Sequence, residues 1–198
     1  MAIESSTIMT VSDPSKLEAD LSDVVRPALE AMGALEVVAG VALTGPMTGM
    51  GILSSRWESL GAWATASAEM ETRMAPGGGQ AELAERYQVA QRIIASTMHE
   101  AGDNTGSFLN ASRYSFASPP QGLENAAQLA IGAGAKGMRI SHVLAGGDMT
   151  GNVIGAMSMD SLDGLPDILA GIASDSQFVA DVQAAGGKLE SRTIFRAV

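Results

Sequence analysis

Apolar and polar positions along this chain switch between a two-residue and a helical period, and the switches predict its elements. Residues 6–12 (STIMTVS) are β-branched and end on a turn signal, which predicts a strand. Asp13 followed by Pro14 is an N-cap with proline at the first helical position. Leu17, Leu21, Val24, Val25, Ala28 and Met32 then keep helical spacing to a stop at Gly33, although Pro27 should bend or break the helix near its last turns. Residues 35–43 (LEVVAGVAL) are apolar on both faces, as a strand covered on both sides would be. TGPMTG makes a turn, residues 50–57 (MGILSSRW) form the next strand, and a helix starts at Ser59 with Leu60, Trp63, Ala64, Ser67 and Met74 available for its buried stripe. APGGGQ interrupts that helix, AELAERYQ resumes it, and residues 91–98 (QRIIASTM) close the unit as a fourth strand. The order is β-α-β-β-α-β.

The second half repeats it. Shifting the chain by 102 positions lays Gly45, Met47, Thr48, Gly49, Ile52, Ser59 and Leu60 on Gly147, Met149, Thr150, Gly151, Ile154, Ser161 and Leu162 without a gap. Around that window, residues 110–118 (NASRYSFAS) are a strand, Pro119 and Pro120 open a helix running to Ala135, and residues 137–145 (GMRISHVLA) and 152–159 (NVIGAMSM) are strands. SLDGLPDILAGIA and SQFVADVQAA are two helical pieces broken at SDS, and LESRTIFRAV is a final strand. AGDNTG is the linker, so the halves are 1–102 and 103–198.

Composition excludes several classes. Hydrophobic residues make up 46% and charged residues 17%, enough for a packed core. No apolar run reaches the ~20 residues of a membrane span and no signal-peptide pattern opens the chain, so a soluble, cytoplasmic protein with no membrane partner is expected. Cysteine is absent, which removes disulfides, thiolate nucleophiles and cysteine-bound metals. A formal charge of -10 without a Lys/Arg cluster, together with 4% aromatic content, argues against nucleic acid as a partner. TGPMTG and GGDMTG lack the Gly-Lys-Ser/Thr of a phosphate loop, and Glu58-Ser59 and Asp160-Ser161 are read as helix caps rather than catalytic acids.

β-α-β-β-α-β is the ferredoxin-like unit, whose sheet carries helices on one face and leaves the other bare. Two units in one chain can bury those faces on each other. The expected fold is therefore α+β: tandem ferredoxin-like repeats whose two four-stranded antiparallel sheets pack face to face as an α/β barrel, helices outside. GILSSRWESLGAW, VIGAMSMDSLDGL and ASDSQFVADVQAAGG resemble the dimeric α/β-barrel superfamily. That superfamily includes antibiotic-biosynthesis-type monooxygenases, stress-responsive α/β-barrel proteins, haem-degrading monooxygenases and chlorite-dismutase-like proteins. The resemblance implies a barrel interior or sheet–helix pocket that takes small apolar or aromatic compounds. It also implies that fusion can replace a homodimer with a monomeric pseudo-dimer, while edge strands left on each sheet keep a homodimer open.

Candidate chemistry is sparse. Neither histidine has a partner at metal-ligand spacing, so no metal and no cofactor is assigned, and haem enters through the resemblance alone. His142 lies mid-strand with Ile140 and Leu144 and, at the 102 offset, opposite Gly40; it and Tyr114 are the candidates to orient a ligand or move a proton. Alternation places Met50, Ile52, Ser54 and Arg56, with Asn152, Ile154, Ala156 and Ser158, on the interior face, making Arg56, Asn152 and Ser158 candidate ligand contacts. His99, at a strand end beside Glu100, is a further candidate. Each has a bland counterpart: a satisfied core histidine, an aromatic core, a surface strand end. The function expected is a small-molecule-binding barrel, possible in enzymatic form as a cofactor-independent monooxygenase of an apolar or aromatic metabolite. The alternatives are a non-enzymatic structural or interaction protein and, third, a haem-binding protein.

Overall fold

The computed structural model describes residues 2–118 and 120–198. The first half supplies β1 (Ile3–Val11), β2 (Glu36–Ala42), β3 (Gly51–Trp57) and β4 (Tyr87–Gly102), and the second β5 (Phe108–Ser115), β6 (Gly137–Ala145), β7 (Val153–Met159) and β8 (Lys188–Ala197). All pairings are antiparallel, and the strands close into one barrel in the order β1-β3-β2-β8-β5-β7-β6-β4. Each half is thus a four-stranded sheet of ferredoxin-like order, and one chain completes the barrel.

Closure corrects the expectation of leftover edge strands. The edges of one sheet pair with the edges of the other, which satisfies backbone groups that would otherwise recruit a further strand. The two seams differ in length. β4 pairs with β6 from Ile94–Ala145 to Gly102–Gly137, whereas β2 meets β8 only at Gly40–Ala197, Val41–Arg196 and Ala42–Phe195.

Helices α1 (Leu17–Asp20), α2 (Arg26–Ala31), α3 (Leu60–Met74) and α4 (Ala81–Arg86) cover the first sheet, and α5 (Leu123–Gly132), α6 (Leu165–Ser174) and α7 (Ser176–Ala184) the second. The main cores lie between sheet and helices: Leu29 and Ala66 pack with Ile3, Trp57 and Ile94 in one half, and Leu123, Ala126 and Ile168 with Met138, Ile140 and Met157 in the other. Inside the barrel Ile8, Ile93 and Val143 form a smaller cluster with Met47, Met50 and Met149.

Local chemistry explains the helix boundaries. The bend expected at Pro27 is a widened π-turn over Leu21–Val25, immediately before α2, which lets the helix continue past a residue that has no N–H to donate. Ser59 caps α3 by accepting from the Ala62 N–H at 3.1 Å. Its repeat twin Ser161 does not cap α6, contrary to the reading as a helix cap: it accepts from the Asp163 N–H at 3.1 Å, and α6 starts only at Leu165, where Pro166 sets the first-turn backbone. α5 opens at Leu123 behind Gly122 (φ +71°) and ends at Gly132, so Pro120 does not open it and Ala135 lies beyond it, while Pro119 lies outside the described residues.

The duplicated turn also has one tight and one loose copy. Gly45 has φ +82°, and a Cβ there would come within 2.5 Å of the Arg192 carbonyl oxygen; Gly147 has φ +64° and open space around the same position. Gly147→Ala should therefore cost about 1 kcal/mol for the left-handed backbone, and Gly45→Ala roughly twice that or more, because backbone must also move. Equal losses in urea denaturation would show that Gly45 is not wedged against β8.

Candidate functional site

Among the described residues, three cavities are lined by the strands of the barrel. The first lies inside the barrel, where Ile52, Ser54 and Arg56 of β3 and Ile154 and Ala156 of β7 project inward; it measures about 140 Å³. One end is plugged by charge. Arg139 of β6 donates Nη1 to Glu4 of β1 and Nη2 to Glu36 of β2 and Glu100 of β4, each at 2.7 Å. Arg56 reaches Glu100 at 2.9 Å, Asn104 donates to Glu100 at 2.8 Å, and Ser141 donates to Glu4 at 2.5 Å. Burial pushes the Glu100 carboxyl up, but the hydrogen bond and charge of Arg139, with the charge of Arg56, outweigh it and hold the group below its ordinary value. Burial likewise disfavours the Arg139 charge, and Glu4, Glu36 and Glu100 more than offset it, raising its pKa.

The other two cavities are repeat-related and lie between a sheet and its helices. The first, about 320 Å³, is enclosed by the first sheet and α1–α4; the second, about 460 Å³, by the second sheet and α5–α7. Strand register sets their polar groups. Leu53 and its twin Gly155 pair with Thr7 of β1 and Ser112 of β5, and these pair with Arg92 of β4 and Arg192 of β8. Each pocket therefore carries one hydroxyl and one arginine at equivalent positions.

Their surroundings differ. Arg92 donates to Ser67 of α3 at 3.2 Å and stands 3.6 Å from the Glu71 carboxylate. Arg192 donates Nε–H to Ser112 Oγ at 3.1 Å and is the one charged residue lining the second pocket among the described residues. The first pocket also holds Asp20, occupied by Arg86 at 2.9 and 3.1 Å and by the Tyr87 hydroxyl at 2.6 Å. Burial, and then the hydrogen bond to Asp20, push the Tyr87 hydroxyl above its ordinary pKa.

The residues singled out in the sequence are dispersed. Tyr114 lines the second pocket, its ring stacked on Phe116 with centroids 6.2 Å apart. Arg56 belongs to the barrel plug. His142 is half-buried on the helix-facing side of β6, paired with Ser96 and Val153, and lines none of the three cavities. The ladders correct its repeat partner: Val41 pairs with Gly51 as His142 pairs with Val153, so His142 is the twin of Val41, and Gly40 is the twin of Ser141. The second turn is one residue longer, and a slip of one residue exchanges the two faces.

His99 stands opposite Ile140 with Nε2 3.7 Å from Glu124. Asn152 lies in the turn before β7, its N–H donating to the Met149 carbonyl. Ser158 is fully buried and donates to the Asp103 carbonyl at 2.6 Å, tying the linker to β7. The sequence reading overlooked Arg192, Ser112 and Arg139. Among the described residues no cluster of histidine, aspartate and glutamate has the makings of a metal site, and no helix is long and apolar enough to cross a membrane.

No family model and no curated protein matches this sequence. Solved structures do match, across nearly the whole chain. An anthrone oxidase-like protein superposes with TM-score 0.55 at 16% identity, over 100% of this chain and 91% of that one. A candidate monooxygenase from Fusobacterium nucleatum gives 0.59 at 8% identity, over 99% and 92%. A variant chlorite dismutase from Candidatus Nitrospira defluvii, in complex with cyanide, gives 0.56 at 10% identity, over 98% and 90%. At these identities the likeness is one of fold: this chain shares the α/β-barrel architecture of those proteins, closed here within one chain.

Proposed function

We propose that this protein is a small-molecule-binding α/β barrel whose ligand, a small apolar or aromatic metabolite, sits in the pocket between the second sheet and α5–α7. The supporting observation is the distribution of space. The barrel interior closes to about 140 Å³ and is capped by ion pairs, whereas the second sheet–helix pocket measures about 460 Å³ and is lined by Met138, Ile140, Met157, Leu169 and Phe178 around a few polar groups. That is the size and make-up of a metabolite site.

The enzymatic form of this reading is oxygenation of an activated aromatic without a cofactor, as the names of the oxidase-like and monooxygenase neighbours suggest. In such a reaction one ring methylene and one dioxygen give one ring carbonyl and one water. One oxygen atom is retained in the carbonyl, and the other leaves as water with the two methylene hydrogens. Tyr114 is, among the described residues, the one titratable group lining the pocket besides Arg192, so it is the candidate to carry the proton. Haem fits poorly: among the described residues neither His99 nor His142 lines any of the three cavities.

Anthrone in aerated buffer tests both levels. Binding should raise the melting temperature, and Gly155→Leu should abolish that shift: a side chain there enters the pocket and meets only the flexible end of Met138, 3.0 Å from its Cβ. If the protein is an oxygenase, oxygen uptake matches anthrone consumed and Tyr114→Phe slows it by about 100-fold. Binding without protein-dependent uptake identifies a non-enzymatic binder. No shift with anthrone, and no organic molecule on the protein as purified by native mass spectrometry, sinks the pocket reading.

A further inference from the structure

We infer that the ligand of the second sheet–helix pocket is an acid, an apolar or aromatic carboxylate or phenolate whose anionic oxygen is held by Arg192 and Ser112. The inference rests on the pocket reading above and adds the charge of the ligand. Its basis is a comparison within the chain. Arg56, Arg73, Arg86, Arg92, Arg113 and Arg139 each have a carboxylate within 4 Å. Arg26, Arg192 and Arg196 have none among the described residues, and of these three Arg192 is the one that lines a sheet–helix pocket, its side-chain bond being the Nε–H donated to Ser112.

The contrast with Arg92 is the sharper because the two arginines are structural twins. In the first pocket α3 brings Glu71 and Ser67 to the guanidinium, so the positive charge is answered within the protein. In the second pocket α6 and α7 bring Ile172, Phe178 and Val182 instead. An arginine is always charged and offers five N–H donors in a planar fork. Half-buried beside apolar walls, it has one neutral protein partner, so its two Nη groups and its charge have no protein partner, and an entering oxyanion can take them with paired, charge-assisted hydrogen bonds. The Ser112 hydroxyl accepts from Nε and keeps its own proton free to donate to the same anion.

Two fluorescent probes of similar ring system separate charge from shape: anilinonaphthalene sulfonate, an anion, and phenylnaphthylamine, its neutral counterpart. The native protein should bind the anion more tightly. Arg192→Met, which keeps the apolar stem, should weaken the anion roughly tenfold to a hundredfold and leave the neutral probe nearly unchanged. Arg192→Lys, keeping charge but not the fork, should fall between, and the twin variant Arg92→Met should change neither. Arg192→Met weakening both probes alike, or neither, overturns the anionic anchor while leaving the pocket standing. Failure of both probes to bind, or persistence of both in Gly155→Leu with an unchanged circular dichroism spectrum, overturns the pocket and the anchor together.

Discussion

Replacing Arg139 with methionine is expected to cost the folded protein about 3 kcal/mol at neutral pH. The guanidinium is 11% exposed and donates to carboxylates from three different strands, so its loss leaves Glu4, Glu36 and Glu100 crowded at one barrel end with Arg56 as the remaining cation beside Glu36 and Glu100. The pH dependence should carry the signature. In the native protein Glu100 titrates below its ordinary value of 4.5, so its stabilising contribution is full above that value and is lost as pH falls through the folded pKa. Without Arg139 the Glu100 carboxyl loses the hydrogen bond and charge that outweigh its burial, so its pKa moves upward and acidification neutralises it beside the other carboxylates. The penalty should therefore shrink as pH falls from 7 towards about 5. Urea denaturation at the two pH values measures it; a constant penalty, or one below about 1 kcal/mol, would mean that the plug is held by packing rather than by charge.

Trp57→Ala should cost still more, about 4 kcal/mol. The indole is 1% exposed, ends β3, packs among Ile3, Leu29, Ala66 and Ile94, and donates Nε1–H to Ser55 at 2.9 Å. Truncation opens a void continuous with the first sheet–helix pocket and strips the buried Ser55 hydroxyl of its partner. The repeat twin Met159 is 3% exposed but smaller and has no polar bond to lose, so Met159→Ala should cost about 2 kcal/mol. Thermal and chemical denaturation of the two variants compare them directly, and a Met159→Ala loss as large as that of Trp57→Ala would contradict this packing account.

Much of the fold was legible because strand alternation and turn chemistry are local. The GMRISHVLA strand matches β6 end for end, Ser59 caps its helix, and β3 and β7 present the faces that alternation assigns. The misses are non-local. β4 runs from Tyr87 to Gly102, well beyond the expected 91–98, because β1 pairs with its start and β6 with its end; the composition around AELAERYQ says helix until those partners are known.

The candidate site was less legible for a related reason. An ungapped offset of 102 aligns β3 with β7 but not the outer strands, whose connecting loops differ in length. QRII and SRTI, Arg92 and Arg192, fall into correspondence at an offset of 100, and that short match was the available signal for the pocket arginines. A shift of one residue in the same direction, to an offset of 101, moved His142 from the partner of Gly40 to the partner of Val41 and so to the outer face. Tyr114 lines the second pocket, and the partners that make its neighbourhood polar come from β8, most of a half-chain away.

The fusion of two units in one chain has a genetic consequence. In a symmetric homodimer one codon writes both pockets, so a charge introduced to hold a ligand on one side is imposed on the other, and neutralising it on one side neutralises both. Here Arg92 and Arg192 are written separately, and so are their neighbours. One copy could acquire Glu71 and settle into structural service while the other kept its arginine unanswered. Duplication followed by fusion releases the two halves of one barrel to diverge under different selection.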